Sequence, residues 1–355
     1  MSHELIFFAF FGFFVLVMLA LDLGLFNKGD KPVSALNAAV MTMVWVSFAL
    51  CFYAILYVNG NFLHNIHSID ELRVLIEKFH HPIRVSSNDF AISLELYNHN
   101  LAIEFITGYL VEYALSVDNI FVIVLIFTTF KVDKKHYHRV LFWGIIGAVL
   151  MRFLFIFIGA SLIAKFSWIL YVFGAFLIYT GAMMFIKRND DEHIDTNKHP
   201  VVKFISKYCK VYPDFRGNKF FLKHNGVTML TPLFIVLLII EFTDLIFAVD
   251  SIPAIFAVTK DPHIVFFSNI FAIMGLRSMF FLLVNVIHKF HYLKVGLAFL
   301  LVFIGIKMLI HHQLEGIGFS NVHSLVVILF ILGISVVFSL LFPKKQPNHV
   351  AVSDK

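Results

Sequence analysis

The stretch VEYALSVDNIFVI, residues 111–123, returns in altered form as TDLIFAVDSIPAI, residues 243–255. Each copy holds two carboxylates six residues apart: Glu112 and Asp118 in the first, Asp244 and Asp250 in the second. A small polar residue and an isoleucine follow, Asn119-Ile120 and Ser251-Ile252. Both copies lie in apolar sequence, where an ionised carboxylate at mid-bilayer costs about 2.5–3.5 kcal/mol on insertion scales. A chain that carries this cost twice, in register, points to two halves of one site.

The rest of the sequence fits a membrane setting. Of its 355 residues, 59% are hydrophobic, 44 are phenylalanine, and only 14% are charged, against about 25% in soluble domains. The basic balance, +5 at neutral pH, sits in loops between apolar spans and reads as topology, so no nucleic-acid partner is expected. Cys51 and Cys209 form no CxxC pair and no metal-type spacing. The N-terminal run lacks a basic leader and is too long for a signal peptide, which predicts a retained first span.

Apolar runs of about 20 residues predict an all-α polytopic bundle of nine membrane helices. They fall near 4–26, 34–58, 105–130, 140–163, 168–186, 230–258, 264–287, 295–310 and 322–342. Loops 27–33, 131–139, 187–226 and 288–294 and the tail from 343 carry twenty of the 28 Lys and Arg; the alternate loops carry five. Arg152, Arg277 and Lys307 fall within spans. The positive-inside bias predicts an external N-terminus and a cytoplasmic C-terminus.

The repeat extends past the acidic motif. MRFLFIFIG (151–159) answers LRSMFFLLV (276–284), and IYTGAMMFI (178–186) answers VFIGIKMLI (302–310), aligning Gly181 with Gly305. The chain divides into two N-terminal helices (1–58), an external insert (59–103), a three-helix unit (104–188), a cytoplasmic loop (189–228), a second three-helix unit (229–311), and a last helix with a basic tail (312–355). Three helices per unit insert the second upside down relative to the first, and inverted repeats place substrate sites where the units meet.

In the insert, Ser68 and Glu71 resemble a capping box, whereas Phe90, Ile92, Leu94 and Leu96 alternate like a strand. His64, His67, His80, His81 and His99 lack ligand-like spacing and read as solvated surface, with metal collection as the alternative. The 187–226 loop reads as a solvated linker.

Within the spans, Asp22, Glu112, Asp118, Glu241, Asp244 and Asp250 outnumber Arg152, Arg277 and Lys307. Asp22 and Lys307 lie near span ends and can snorkel. A low-dielectric interior resolves the excess negative charge by protonation or by binding cations. The donors near the motif are all oxygen, which suits Mg²⁺, Ca²⁺ or Mn²⁺. Pro253 removes the helix hydrogen bond to the Val249 carbonyl, a feature Phe121 does not share. Residues six apart on a straight helix differ by about 120° and 9 Å. So either the helices break, or one carboxylate per unit binds the ion while the other pairs with Arg152 or Arg277 or moves protons. Glu241 and Asp244, three apart, share a face.

At these residues the chain also resembles a known family. FITGYLVEYALSVDNIFVIVLIF, HRVLFWGIIGAVLMRFLFIFIGASLI, YVFGAFLIYTGAMM and FTDLIFAVDSIPAIFAVTKDPHIVFFSNIFAIMGLRSMFFLL closely resemble the TerC family of integral membrane proteins over about 101–311. The LDLGLF stretch (21–26) fits too. The resemblance implies a bacterial inner-membrane protein (or an organellar equivalent) linked to tellurium-resistance gene clusters and manganese export. It places the metal-site residues on Glu112, Asp118, Asp244 and Asp250, with Asp22 a further candidate. This chain has Tyr113-Ala114 where the family usually has Lys-Ser, and its 59–103 stretch is longer than usual.

The expectation is an exporter of divalent cations, manganese first, coupled to proton entry. The ion is its substrate, no permanently bound cofactor is expected, and oligomeric state is not legible. The alternatives are a non-transporting scaffold of a metal or tellurite resistance complex, and an intramembrane aspartyl hydrolase, whose GxGD motif neither Asp118 nor Asp250 carries.

Overall fold

The structure is a computed structural model. It describes residues 11–18, 34–187, 202, 210–212, 217, 219–284, 292–310, 313–314 and 319–342, apart from 16, 84, 86–88, 167, 218 and 225–226.

Helix α1 (Ala35–Asn59) starts at Ser34, whose side chain accepts the Asn37 N–H, and a 3-10 turn (Gly60–Leu63) ends it. In α2 (Ile69–Phe79) the Ser68 hydroxyl caps Glu71 N–H, while the Glu71 carboxylate reaches back to His67 N–H. The predicted N-terminal signature is therefore present, displaced by one residue on its return arm. The chain leaves α2 through His80 in the left-handed region.

Helix α3 spans Phe90–Thr129, 40 residues, or about 60 Å at 1.5 Å per residue. That is twice the hydrocarbon thickness, so its first third continues past the predicted span. This overturns the strand reading of 90–96. Asp89 caps Ala91 and Ile92 N–H, and the buried face runs Ser93, Tyr97, Leu101 at a spacing of four, with Ile92 and Leu96 exposed. The 59–103 insert is thus largely helical.

Next come α4 (Tyr137–Lys165), α5 (Ile169–Ile186), strands β1 (Phe221–His224) and β2 (Val227–Leu230), α6 (Pro232–Phe256), α7 (Pro262–Leu283), α8 (Leu293–Leu309) and α9 (Asn321–Leu341). The strands pair as a hairpin with Phe221 opposite Leu230, so part of the expected linker is ordered. Among the described residues, seven helices are long and apolar enough to cross a membrane; α8 has 17 residues. Eight predicted spans thus coincide with helices. The ninth, 4–26, is described only at 11–15 and 17–18, which are helical.

Helix α7 is the axle, with its most apolar 18-residue window fully buried. The two units pack reciprocally: α3 lies on α7, α4 lies on α6, and the third helices α5 and α8 lie on each other. Glycine permits that last contact. A Cβ at Gly305 would come within 2.6 Å of the Gly174 carbonyl oxygen, and one at Gly181 within 2.7 Å of the Ala298 oxygen. Small residues allow such close backbone approach in membranes. Phenylalanines fill the space around α7, with Phe52 against Phe105 at 4.9 Å and Phe11 against Phe267 at 4.7 Å. On the periphery Leu36, Met43, Leu150, Ile186 and Phe330 are exposed, as lipid-facing side chains are.

A candidate cation site between the two units

Helices α3 and α6 run unbroken through both acidic motifs, α6 even through Pro253. Of the two possibilities left by the six-residue spacing, broken helices are therefore excluded. The carboxylates instead separate by position within each copy. Glu112 and Asp244, the first of each pair, are buried, while Asp118 and Asp250, the second, are half-buried.

Arg152 on α4 holds the buried pair. One guanidinium nitrogen contacts Glu112, and the other lies 3.3 Å from Asp244 Oδ1. Asn269 on α7 accepts a further bond from Arg152 Nη1 at 2.6 Å. Asn119 Nδ2 donates to Asp244 Oδ1 at 2.8 Å, joining the first motif to the second. One arginine thus clasps a carboxylate from each unit in a buried setting where neither charge could stand alone.

Asp118 and Asp250 open onto a cavity of about 310 Å³. Glu112, Asn119, Arg152 and Ser251 also line it. Thr180 on α5 brings its hydroxyl to 3.3 Å from Asp250 Oδ1. Leu115, Met183, Met184, Phe247 and Leu301 form the apolar wall. Lys187 at the end of α5 and Lys294 at the start of α8 line the same cavity. Lys187 is exposed, so water screens its charge from the deeper carboxylates.

The remaining sequence candidates lie elsewhere. Glu241 does not line the cavity; its carboxylate presses on α4 at Gly147. Arg277 is buried with its guanidinium 3.4 Å from His138 Nδ1, and it does not line the cavity either. Arg152 thus serves a carboxylate from each unit, Glu112 and Asp244. Asp22 lies outside the described residues.

Sequence reasoning missed Asn269 and Thr180, whose signal is a polar side chain inside an apolar span. It also missed Glu104, which is 1% exposed on α3. His81, Asn100, Thr259 and Asn321 all reach the Glu104 carboxylate, at 3.0, 2.7, 2.6 and 3.3 Å. His81 is therefore a buried partner, contrary to the solvated reading. Burial alone would lower its pKa, but the Glu104 carboxylate outweighs that and holds it above the ordinary value. Lys307 does not snorkel: it is 7% exposed and shares a small cavity with Glu104.

Fold and site together define a multi-pass helical membrane protein with acidic groups gathered between two packed units. The sequence model of the Integral membrane protein TerC family matches residues 97–347, and the chain belongs to that family. It is 40% identical over 342 residues to an uncharacterized membrane protein of Myxococcus xanthus, covering 96% of this chain and 94% of that one. It is 39% identical over 326 residues to an Escherichia coli K12 protein named "Putative membrane-bound redox modulator Alx", covering 91% and 92%. A membrane protein of Rickettsia bellii shares 41% over 296 residues, 82% of this chain and 96% of that one. No solved structure matches.

Proposed function

We propose that this protein is a transporter that exports divalent cations, manganese first, through the cavity between its two units. The observation that carries the reading is the meeting of Asp118 and Asp250. They come from motif copies far apart in sequence, and each offers a half-buried carboxylate to one cavity. Asn119, Ser251 and Thr180 add neutral oxygen donors. An all-oxygen set suits hard divalent ions, and the family resemblance favours manganese among them. Two carboxylates that lose a cation in a low-dielectric cavity take up protons instead, which supports exchange of metal for protons.

In this reading the chain sits in a bacterial cytoplasmic membrane with its N-terminus outside. Lys187 and Lys294 then mark the cytoplasmic mouth of the cavity, and the three-helix units are inverted repeats. Arg152 holds Glu112 and Asp244 as framework, and the second carboxylate of each copy takes the ion. The redox name of the Alx relatives has no vicinal thiol pair to rest on here, since the sequence holds only Cys51 and Cys209.

The test is manganese flux from liposomes containing only the purified protein. Asp118→Asn and Asp250→Asn each delete one ligand charge at constant size, and each is expected to abolish flux with insertion and folding intact. Glu95→Gln, on the exposed part of α3, is expected to leave flux unchanged. Near-normal flux per folded molecule in both Asn variants would sink the assignment. A wild-type protein that folds and carries no cation would favour the scaffold reading.

A further inference from the structure

A second group of ligand-type side chains lies at the opposite end of the bundle from the lysine mouth, and it does not depend on the transport reading. His64 follows the 3-10 turn after α1; Asp261 caps α7, and His263 sits in its first turn. His64 Nε2 lies 2.8 Å from Asp261 Oδ2, and His263 Nδ1 lies 3.1 Å from Asp261 Oδ1. One ligand atom from each lies within 4.8 Å of the others. The side chains of His64, Asp261 and His263 are 2%, 0% and 11% exposed.

We propose that His64, Asp261 and His263 form a binding site for a late first-row divalent metal ion, of the zinc class. The donor set is two imidazoles and one carboxylate, unlike the all-oxygen lining of the central cavity. Nitrogen-rich sets favour zinc and its neighbours over calcium and magnesium. Around a tetrahedral zinc, donors 2.0–2.2 Å from the metal stand about 3.4 Å apart. The observed separations of 2.8 and 3.1 Å run to the two oxygens of one carboxylate, and one donor from each residue lies within 4.8 Å of the others, so seating an ion asks for side-chain adjustment of about 1 Å. Three protein ligands leave a fourth position for water or an exchanging ligand.

The scaffold suits the task. Pro262 fixes the backbone between the two α7 donors, and Asp261 also accepts the His263 N–H, so the Asp-Pro-His segment presents both donors from a rigid turn. Thr259 accepts the Asp261 N–H and donates to Glu104, tying the group to the buried network on α3. A bound ion would pin the segment after α1 to the α6–α7 connection.

The probe is Zn²⁺ titrated into the purified full-length protein carrying Asp118→Asn and Asp250→Asn, which removes the central carboxylates from the count. One Zn²⁺ is expected to bind. His64→Gln and His263→Gln are each expected to weaken it by roughly a hundredfold or more, since an amide is a poor zinc ligand. X-ray absorption of the Zn²⁺-loaded protein reads the shell without any histidine variant, and two imidazoles are expected. Absence of a bound Zn²⁺, an oxygen-only shell, or unchanged affinity in both folded Gln variants would overturn the site. It would return these residues to a hydrogen-bonded histidine–aspartate cluster. None of those outcomes bears on manganese flux through Asp118 and Asp250.

Discussion

Replacing Arg152 with methionine keeps much of the apolar stem and deletes the one cation that Glu112 and Asp244 share. Both carboxylates are buried, at 0% and 6% exposure, and Arg152 is 2% exposed, so solvent screens the contact little. Removing one partner of a buried ion pair costs about 3–5 kcal/mol, because the survivor is left charged and undersolvated. Arg152→Met leaves two survivors, which places it at the upper end of that range. Glu112→Gln is milder: Arg152 keeps Asp244 and Asn269, and the loss is that of one charge-assisted hydrogen bond, about 1.5–3 kcal/mol. In the double variant the arginine leaves behind one charge instead of two. The two changes should therefore couple by about 1–3 kcal/mol, the range for residues in one network. Unfolding of the four proteins in the same detergent reads this directly, by denaturant titration with activity-independent detection of folded protein. Arg277→Met supplies the contrast, since Glu112 is held by Arg152 and Ser116, and Glu112→Gln is expected to give it no rescue. A double variant no more stable than the sum of Arg152→Met and Glu112→Gln would refute the shared clasp.

Gly305→Ala should destabilise the protein by about 1–3 kcal/mol through overpacking against the Gly174 carbonyl, visible as a lower melting temperature; an unchanged melt would mean that α5 and α8 do not pack as described. The His81–Glu104 contact predicts a pH dependence. The folded pKa of His81 is raised, so its stabilisation is complete below the ordinary histidine value of about 6.5 and fades as pH rises through the folded value. The groups facing His81 are Glu104, Asn100 and Tyr97, with Asp261 acting at longer range. Melting curves across pH should therefore lose this slope in His81→Gln. A reporter fused after Lys345 is expected on the cytoplasmic side and one near His81 on the external side; opposite readings at both would reverse the basic-residue argument.

Much of the membrane architecture was legible because bilayer thickness sets helix length and the apolar runs are long. The acidic motif was legible for a related reason: charge inside such runs is expensive, so its repetition stands out against the background. What failed was local. The alternation Phe90, Ile92, Leu94, Leu96 is period two on paper, but Ser93 and Tyr97 pack against the bundle and put the segment on a helix. Polar residues can take the buried face there because the extension lies beyond the apolar span. The hairpin of β1 and β2 did carry a signal, Asn225-Gly226 between two short runs with apolar ends, which the high charge of the loop obscured. His64 and Asp261 are 197 residues apart, and nothing in either neighbourhood announces the other. Such pairs are created by the packing of α1 and α3 on α7, which no spacing rule encodes.

The same packing explains why two similar motifs do not make two similar half-sites. Six residues turn a continuous helix by about 120°, so Glu112 and Asp118 cannot face one point, and neither can Asp244 and Asp250. The fold answers with a division of labour in both copies: the first carboxylate turns inward to an arginine, and the second turns to the cavity. For Glu112 and Asp244 that arginine is Arg152 on α4. Arg277 on α7 lies 3.4 Å from His138 Nδ1, and α7 presents Asn269 to the clasp. Thr180 reaches Asp250, while the position aligned with it on α8 holds Ile304. A cation held between Asp118 and Asp250 would thus meet the Thr180 hydroxyl from one unit and no hydroxyl at the matching position of the other. In the transport reading, that asymmetry makes the two sides of the exchange unequal in affinity, which a symmetric pair of half-sites would not do.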